Sequence, residues 1–226
     1  MPNLPIPNPT TQDLEFEDWG LVDYSQALER QLNLLEKMAS SDSPGIIVFC
    51  THPPVVTLGR ATQVGDVSDW QGSTLEVSRG GRATYHGPSQ LVVYPIVNLK
   101  WARKSRKENE IIGFLRDFEN AIVKTLSEYG LHAQGKSLQK KSEGTEDATG
   151  VWVGDKKIAS LGIAVKKWIT YHGAAINLDA DPSAFKGLKP CGFSPQVMTS
   201  LEDCTHHTIS REEFKTKLLI QLRNLL

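Results

Sequence analysis

Along this chain the spacing of apolar side chains switches between a period near 3.6 and a period near 2. Each switch marks a boundary between helix and strand. Residues 14–22 (LEFEDWGLV) alternate apolar and acidic positions, the pattern of a half-buried strand. Over 24–38, Leu28, Leu32, Leu35 and Met38 recur near helical spacing, and Ser43-Pro44-Gly45 closes that element. The continuous apolar run 46–50 (IIVFC) reads as a buried strand. His52-Pro53-Pro54 breaks it, and extended structure resumes over Val55–Arg60. A second amphipathic helix is predicted over about 108–129, with Ile112, Leu115, Ala121, Ile122 and Leu126 inward and Gly130 as C-cap. Residues 134–149 are so polar and charged that they read as a loop. Two strands follow, 158–165 and 168–178, joined by Lys166-Lys167. A last helix covers about 211–225, opened by a Ser210–Glu213 capping box. The order predicts an α+β (mixed α/β) domain over 14–226, preceded by a proline-rich extended arm at 1–13.

Composition narrows the class. A chain of 226 residues, 39% apolar and 23% charged, is long enough for one full core. A net charge of -1 gives no support for nucleic-acid or membrane-surface binding. No run approaches the ~20 apolar residues of a membrane helix, and the start MPNLPIPNPTTQD has no signal-peptide core. Three irregularly spaced cysteines make no disulfide framework, so a reducing cytoplasm is the expected compartment.

Three segments carry candidate chemistry. In KKIASLGIAV, alternation puts Leu161, Ile163 and Val165 on one face and the small Ser160, Gly162 and Ala164 on the other. In ITYHGAAINL, His172, Gly173, Ala174 and Ala175 thin a second strand in the same way, which suggests the floor of a groove. The stretch RGGRATYHGPSQLVVYPI adds glycines that expose backbone N–H groups, with Tyr85 and His86 as polar handles. Cys191 lies in the turn Lys189-Pro190-Cys191-Gly192, where burial in a regular element is disfavoured. A thiolate is a strong nucleophile, and a nearby lysine ammonium is one of the few groups that can supply it.

RGGRATYHGPSQLVVYPI, TGVWVGDKKIASLGIAVKKWITYHGAAINL, KPCGF and THPPVVTLGR together resemble the signature blocks of the octanoyltransferases of lipoate biosynthesis, over about residues 15–220. That resemblance implies a mixed sheet flanked by helices, as in lipoate- and biotin-protein ligases, with a tunnel-like active site. It implies that Cys191 carries the acyl group as a thioester, while Lys157 lowers the cysteine pKa and shuttles the proton. It implies that Arg79, Gly80, Gly81, Arg82, Ala83, Thr84, Tyr85 and His86, with Ser160, Leu161, Gly162, Gly173, Ala174 and Ala175, line the substrate site. The donor would be octanoyl-acyl carrier protein. The acceptors would be lysines on lipoyl domains of 2-oxoacid dehydrogenase E2 subunits and on the glycine-cleavage H protein. A monomer without metal or cofactor is expected. Ser89 departs from the family's more usual glycine, and Cys50-Thr51 from its leucine–glutamate pair.

Other readings stand beside these. Cys50 and Cys204 read as small apolar fillers. Lys156 faces away from Lys157, so only one of them can meet the cysteine, and the family's Lys-Ile-Ala register selects Lys157. His86 and His172 could act as bases beside the cysteine, although the family context gives them substrate-site or orienting roles. The histidines have no paired metal-ligand spacing, and His206-His207 reads as surface. The basic run Lys100–Lys107 reads as a solvated face, or a docking patch for an acidic carrier protein. The alternative activity is an ATP-dependent lipoate or biotin ligase on the same fold.

Overall fold

The two most apolar runs of the chain, 45–51 and 90–97, lie antiparallel with Phe49 opposite Val93, in the interior of a seven-stranded sheet. A strand buried on both faces needs such continuous hydrophobicity. The computed structural model describes residues 14–41, 43–101, 106–137 and 146–226. Its elements are β1 (Glu15–Leu21), α1 (Tyr24–Ala39), β2 (Gly45–Thr51), β3 (Val55–Leu58), β4 (Ser73–Glu76), β5 (Thr84–His86) and β6 (Gln90–Val97). They continue with α2 (Ile111–Ser127), β7 (Ala133–Gly135), β8 (Gly150–Val153), β9 (Lys156–Lys166), β10 (Ile169–Asn177), α3 (Leu201–Thr205) and α4 (Arg211–Leu225).

The large sheet runs β1-β2-β6-β10-β9-β8-β7, antiparallel except for the β1–β2 pair, and a small sheet runs β4-β3-β5. α2 and α4 cover one face of the large sheet, where Phe114, Phe118, Ile122, Phe214 and Leu218 cluster with Ile47, Phe49, Val93 and Ile176. On the other face, Ala27, Leu35 and Met38 of α1 cluster with Ile46, Val48, Val92 and Tyr94. The small sheet abuts the rest of that face, tied to it where Gly80 N–H donates to the Ile163 carbonyl at 3.0 Å. Among the described residues no helix is long and apolar enough to cross a membrane.

Several expectations need correction. Residues 15–21 form the predicted strand, but its side chains are mostly exposed, Leu21 at 67%, because β1 is an edge strand with one neighbour. In α2 the buried stripe runs through Phe114, Phe118, Ala121, Ile122, Thr125 and Leu126, and Ile112 is 56% exposed at its first turn. Gly130 does end this helix, at φ 78° with Leu131 N–H reaching the Leu126 carbonyl at 3.2 Å. Arg106, read as part of a solvated basic run, is buried and pairs with Asp117 at 3.3 Å. The middle of that run (102–105), the proline-rich arm (1–13) and residues 138–145 of the polar loop lie outside the described residues. The same loop opens with β7 and returns at Asp147 against the candidate catalytic residues.

Candidate active site

Cys191 owes its position to a short turn held from three directions. Lys189 N–H donates to the Asp66 carbonyl at 2.8 Å, Cys191 N–H to the Ala83 carbonyl at 2.9 Å, and Asp147 N–H to the Cys191 carbonyl at 2.9 Å. These bonds keep Cys191 left-handed, at φ 56° and ψ 22°, a conformation that disfavours any side chain by about 1 kcal/mol. Gly192 follows at φ 87°, and a Cβ there would stand 2.3 Å from Arg82 Nη1. Only glycine lets the guanidinium lie so close to the turn.

Lys157 has no exposed surface although it is only the second residue of β9. Its Nζ donates to the Asp147 carbonyl at 3.1 Å, with the rings of Trp152 and Phe193 5.8 and 5.9 Å away. Among the described residues no salt bridge to a carboxylate holds it. The Asp147 carbonyl and the two ring faces are what this buried amine meets. Lys156 points outward, as the strand alternation requires, and donates to the Gln196 carbonyl at 2.6 Å. Cys191 and Lys157, 34 positions apart in sequence (191 minus 157), therefore share one neighbour, Asp147, through its N–H and its carbonyl.

A narrow cavity extends from Cys191 between the large sheet and the β5 segment. Arg79, Gly81, Thr84 and His86 line it from one side, Ser160–Gly162 and His172–Ala175 from the sheet, with Val92, Tyr94 and Tyr24 completing it. Its free space is about 20 Å³, about one water molecule's worth. Arg79 Nε, Thr84 Oγ1, His86 Nδ1 and Ser160 Oγ are buried without a hydrogen-bond partner, and all four residues line this one cavity. Orphaned polar atoms that converge on a hollow mark a place where a ligand or water completes the bonding.

The buried histidines and tyrosines around the cavity are held neutral. Burial lowers the pKa of His52, lowers that of His86 well below its ordinary value, and takes His172 down to about 3. Burial likewise raises Tyr24 to about 12 and lifts Tyr94 well above the usual tyrosine value. Cys50, 1% exposed beside His52, has its thiol pushed up by burial, which suits its reading as a filler. Cys204, the other cysteine read as a filler, is partly buried against the α2–α4 cluster, and His206-His207 is exposed.

Of the residues expected around the substrate, the cavity gathers Arg79, Gly81, Thr84, His86, Ser160, Leu161, Gly162, Gly173, Ala174 and Ala175. Gly80, Arg82, Ala83 and Tyr85 are not in its lining. Strand alternation turns Tyr85 away from Thr84 and His86, onto Phe185 and Trp70 at ring distances of 5.4 and 5.7 Å. Arg82 forms a buried two-point pair with Asp66, Ala83 anchors the cysteine turn, and Gly80 ties its loop to β9. Arg79, though in the wall, spends its Nη groups on the carbonyls of Gly80, Arg82 and Thr57 at 2.8–3.0 Å and on Thr57 Oγ1. Ser89 donates to Asp181 away from the cysteine. Sequence reasoning missed Asp147, Asp66, Tyr24 and Tyr94. Asp147 acts through its backbone, so no side-chain signal could have found it.

The chain matches the lipoyl protein ligase A/B catalytic domain family over residues 23–223. It is 57% identical over 217 residues to a protein of Bdellovibrio bacteriovorus named octanoyltransferase, covering 95% of this chain and 99% of that one. In fold it is similar to lipoate-protein ligase A solved with ATP, at a TM-score of 0.72 and 19% identity, covering 93% of this chain and 84% of that one. Biotin protein ligase from Aquifex aeolicus, solved with biotin and ATP, gives a TM-score of 0.53 at 16% identity, covering 93% and 70%.

Proposed function

We propose, from the premise that this chain belongs to the octanoyltransferases of the lipoyl protein ligase A/B catalytic domain family, that it moves the octanoyl group through a thioester on Cys191. The chain is an acyltransferase of protein lipoylation. The observation that carries the finer reading is the contact with Asp147 that Lys157 shares with Cys191, itself a lining residue of the cavity.

In this reading Lys157 Nζ takes the thiol proton, giving a thiolate beside an ammonium. The sulfur attacks the thioester carbonyl of octanoyl-acyl carrier protein, and the tetrahedral adduct expels the carrier's thiolate. That thiolate recovers the proton from Lys157. The ε-amine of a lipoyl-domain lysine, of an E2 subunit or of the H protein, then attacks the Cys191 thioester. The Cys191 sulfur leaves, and Lys157 relays the amine's surplus proton to it. A thioester donor and an amide product make the sum downhill, so this route consumes no nucleotide. Entry of the acyl chain widens the narrow cavity.

Incubation with octanoyl-acyl carrier protein, without ATP, adds one octanoyl mass that hydroxylamine removes. Cys191→Ala gains none, and Lys157→Ala loads on the order of 100-fold more slowly. Product that forms only from free acid plus ATP would instead establish the ligase alternative. An adduct retained by Cys191→Ala would place the acyl group elsewhere.

A further inference from the structure

The cavity differs sharply between its floor and its far wall. Its floor is β9 around Ser160 and Gly162 and β10 around Gly173 and Ala175, small residues that leave a groove. Across β10 from β9, on β6, the groove ends on rings: Tyr94, with Tyr24 of α1 and His86 of β5. These rings form a packed cluster with His52, at centroid distances of 5.0 Å (Tyr24–His52), 5.1 Å (Tyr24–His86), 5.8 Å (His52–His86) and 6.0 Å (His52–Tyr94).

Each ring is also bolted by a hydrogen bond. Tyr94 Oη meets His52 Nε2 at 2.8 Å, and the opposite nitrogen of that imidazole meets the Val22 carbonyl at 2.7 Å. Tyr24 Oη meets His172 Nδ1 at 3.2 Å, and His86 Nε2 meets Thr57 Oγ1 at 3.2 Å. All of these rings are 6% exposed or less. A wall packed and bonded in this way moves less readily than a turn or loop.

Length follows from the sheet itself. β9 and β6 are separated by β10, so the groove crosses two strand spacings, about 10 Å. Cys191 sits toward the β9 side, through Asp147 and Lys157. An extended chain advances about 1.2 Å per bond, so the seven carbon–carbon bonds of an octanoyl group span about 8–9 Å.

We propose that the ring wall of Tyr24, His86 and Tyr94 is the ruler of the acyl group. It admits straight chains of about eight carbons and rejects longer ones by collision. This rests on the reading that Cys191 carries the acyl group. One methylene too many for a closed pocket changes acceptance about 10–200-fold.

The test offers the purified chain carrier-protein thioesters of even-numbered straight acyl groups from hexanoyl to tetradecanoyl, and reads the loading rate on Cys191 by intact mass. The wild-type protein loads octanoyl best and dodecanoyl at least 10-fold more slowly. Tyr94→Leu and, from the opposite side, Tyr24→Leu move the optimum to longer chains by two carbons or more. Tyr94→Phe keeps the ring and the optimum. Either leucine variant that folds, loads acyl groups and still prefers octanoyl would overturn the ruler. If both fail to fold, Ala175→Val decides: a narrowed floor with an unchanged wall leaves the optimum at octanoyl, and a shifted optimum puts length selection in the floor. A wild-type protein that gains no adduct of any length refutes the Cys191 reading, and the ruler with it.

Discussion

Gly173 shows how much one missing methyl group can decide. A Cβ at this position would lie 1.8 Å from the Val93 carbonyl oxygen and 2.9 Å from its carbon, both backbone atoms of the neighbouring strand. Backbone cannot step aside as a flexible side chain can, so a methyl there pries β10 from β6. Gly173→Ala therefore lowers stability by about 3 kcal/mol, read as a urea midpoint shift at constant slope. A loss below about 1 kcal/mol would mean that the two strands can part at little cost. A glycine in mid-strand did announce a close approach in the sequence. What approaches, a neighbouring strand rather than a ligand, was not legible there. Lys157 is the opposite case: alternation allowed one inward lysine and the family resemblance selected Lys157, but its cage of Trp152, Phe193 and the Asp147 carbonyl comes from three separate segments.

At the scale of elements, the join between β6 and β10 is interrupted. Pairing runs from Gln90↔Asn177 to Val93↔Ala174 and resumes only at the Asn98↔Ile169 bridge. Between them stands Pro95, which has no N–H to donate, and His172 adopts φ 58°. Side chains fill the gap: Thr170 Oγ1 donates to the Pro95 carbonyl at 2.6 Å and accepts from Val97 N–H at 2.9 Å. Gln31 of α1 accepts from His172 N–H at 2.8 Å. The helix thus does more than bury a stripe, because its fully buried Gln31 completes the sheet beside the cavity floor. Gln31→Leu keeps the bulk and orphans the His172 N–H, so it costs about 1–3 kcal/mol. Urea denaturation measures this, and octanoyl loading falls with it because Gly173–Ala175 lose their support. The stripe Leu28, Leu32, Leu35 and Met38 foretold the helix, but a polar residue on its inner face has no periodic signature.

At the scale of the whole molecule, three buried histidines are held uncharged, with a consequence for stability. His52, His86 and His172 all have pKa values below the ordinary imidazole value because burial disfavours the cation. The unfolded chain takes up protons near pH 6.5 and the folded chain does not, so stability is full above that pH and falls as pH drops below it. For His172, at about 3 in the folded protein, the loss by pH 5 is about 2 kcal/mol. Denaturation midpoints that agree at pH 7.5 and pH 5.0 would contradict this picture. The sequence by itself determined the three long helices, the strands at 46–50, 158–165 and 168–178, and the nucleophile candidate, because periodicity and local turn chemistry act over a few residues; the family resemblance then selected Lys157 over Lys156. Only the tertiary structure decided that Tyr85 and Arg82 face away from the cavity, that Asp147 joins Cys191 to Lys157, and that Tyr24, His86 and Tyr94 close the groove. Those outcomes depend on which strands become neighbours and how far apart the sheet holds them, and contacts between distant segments leave no period along the chain.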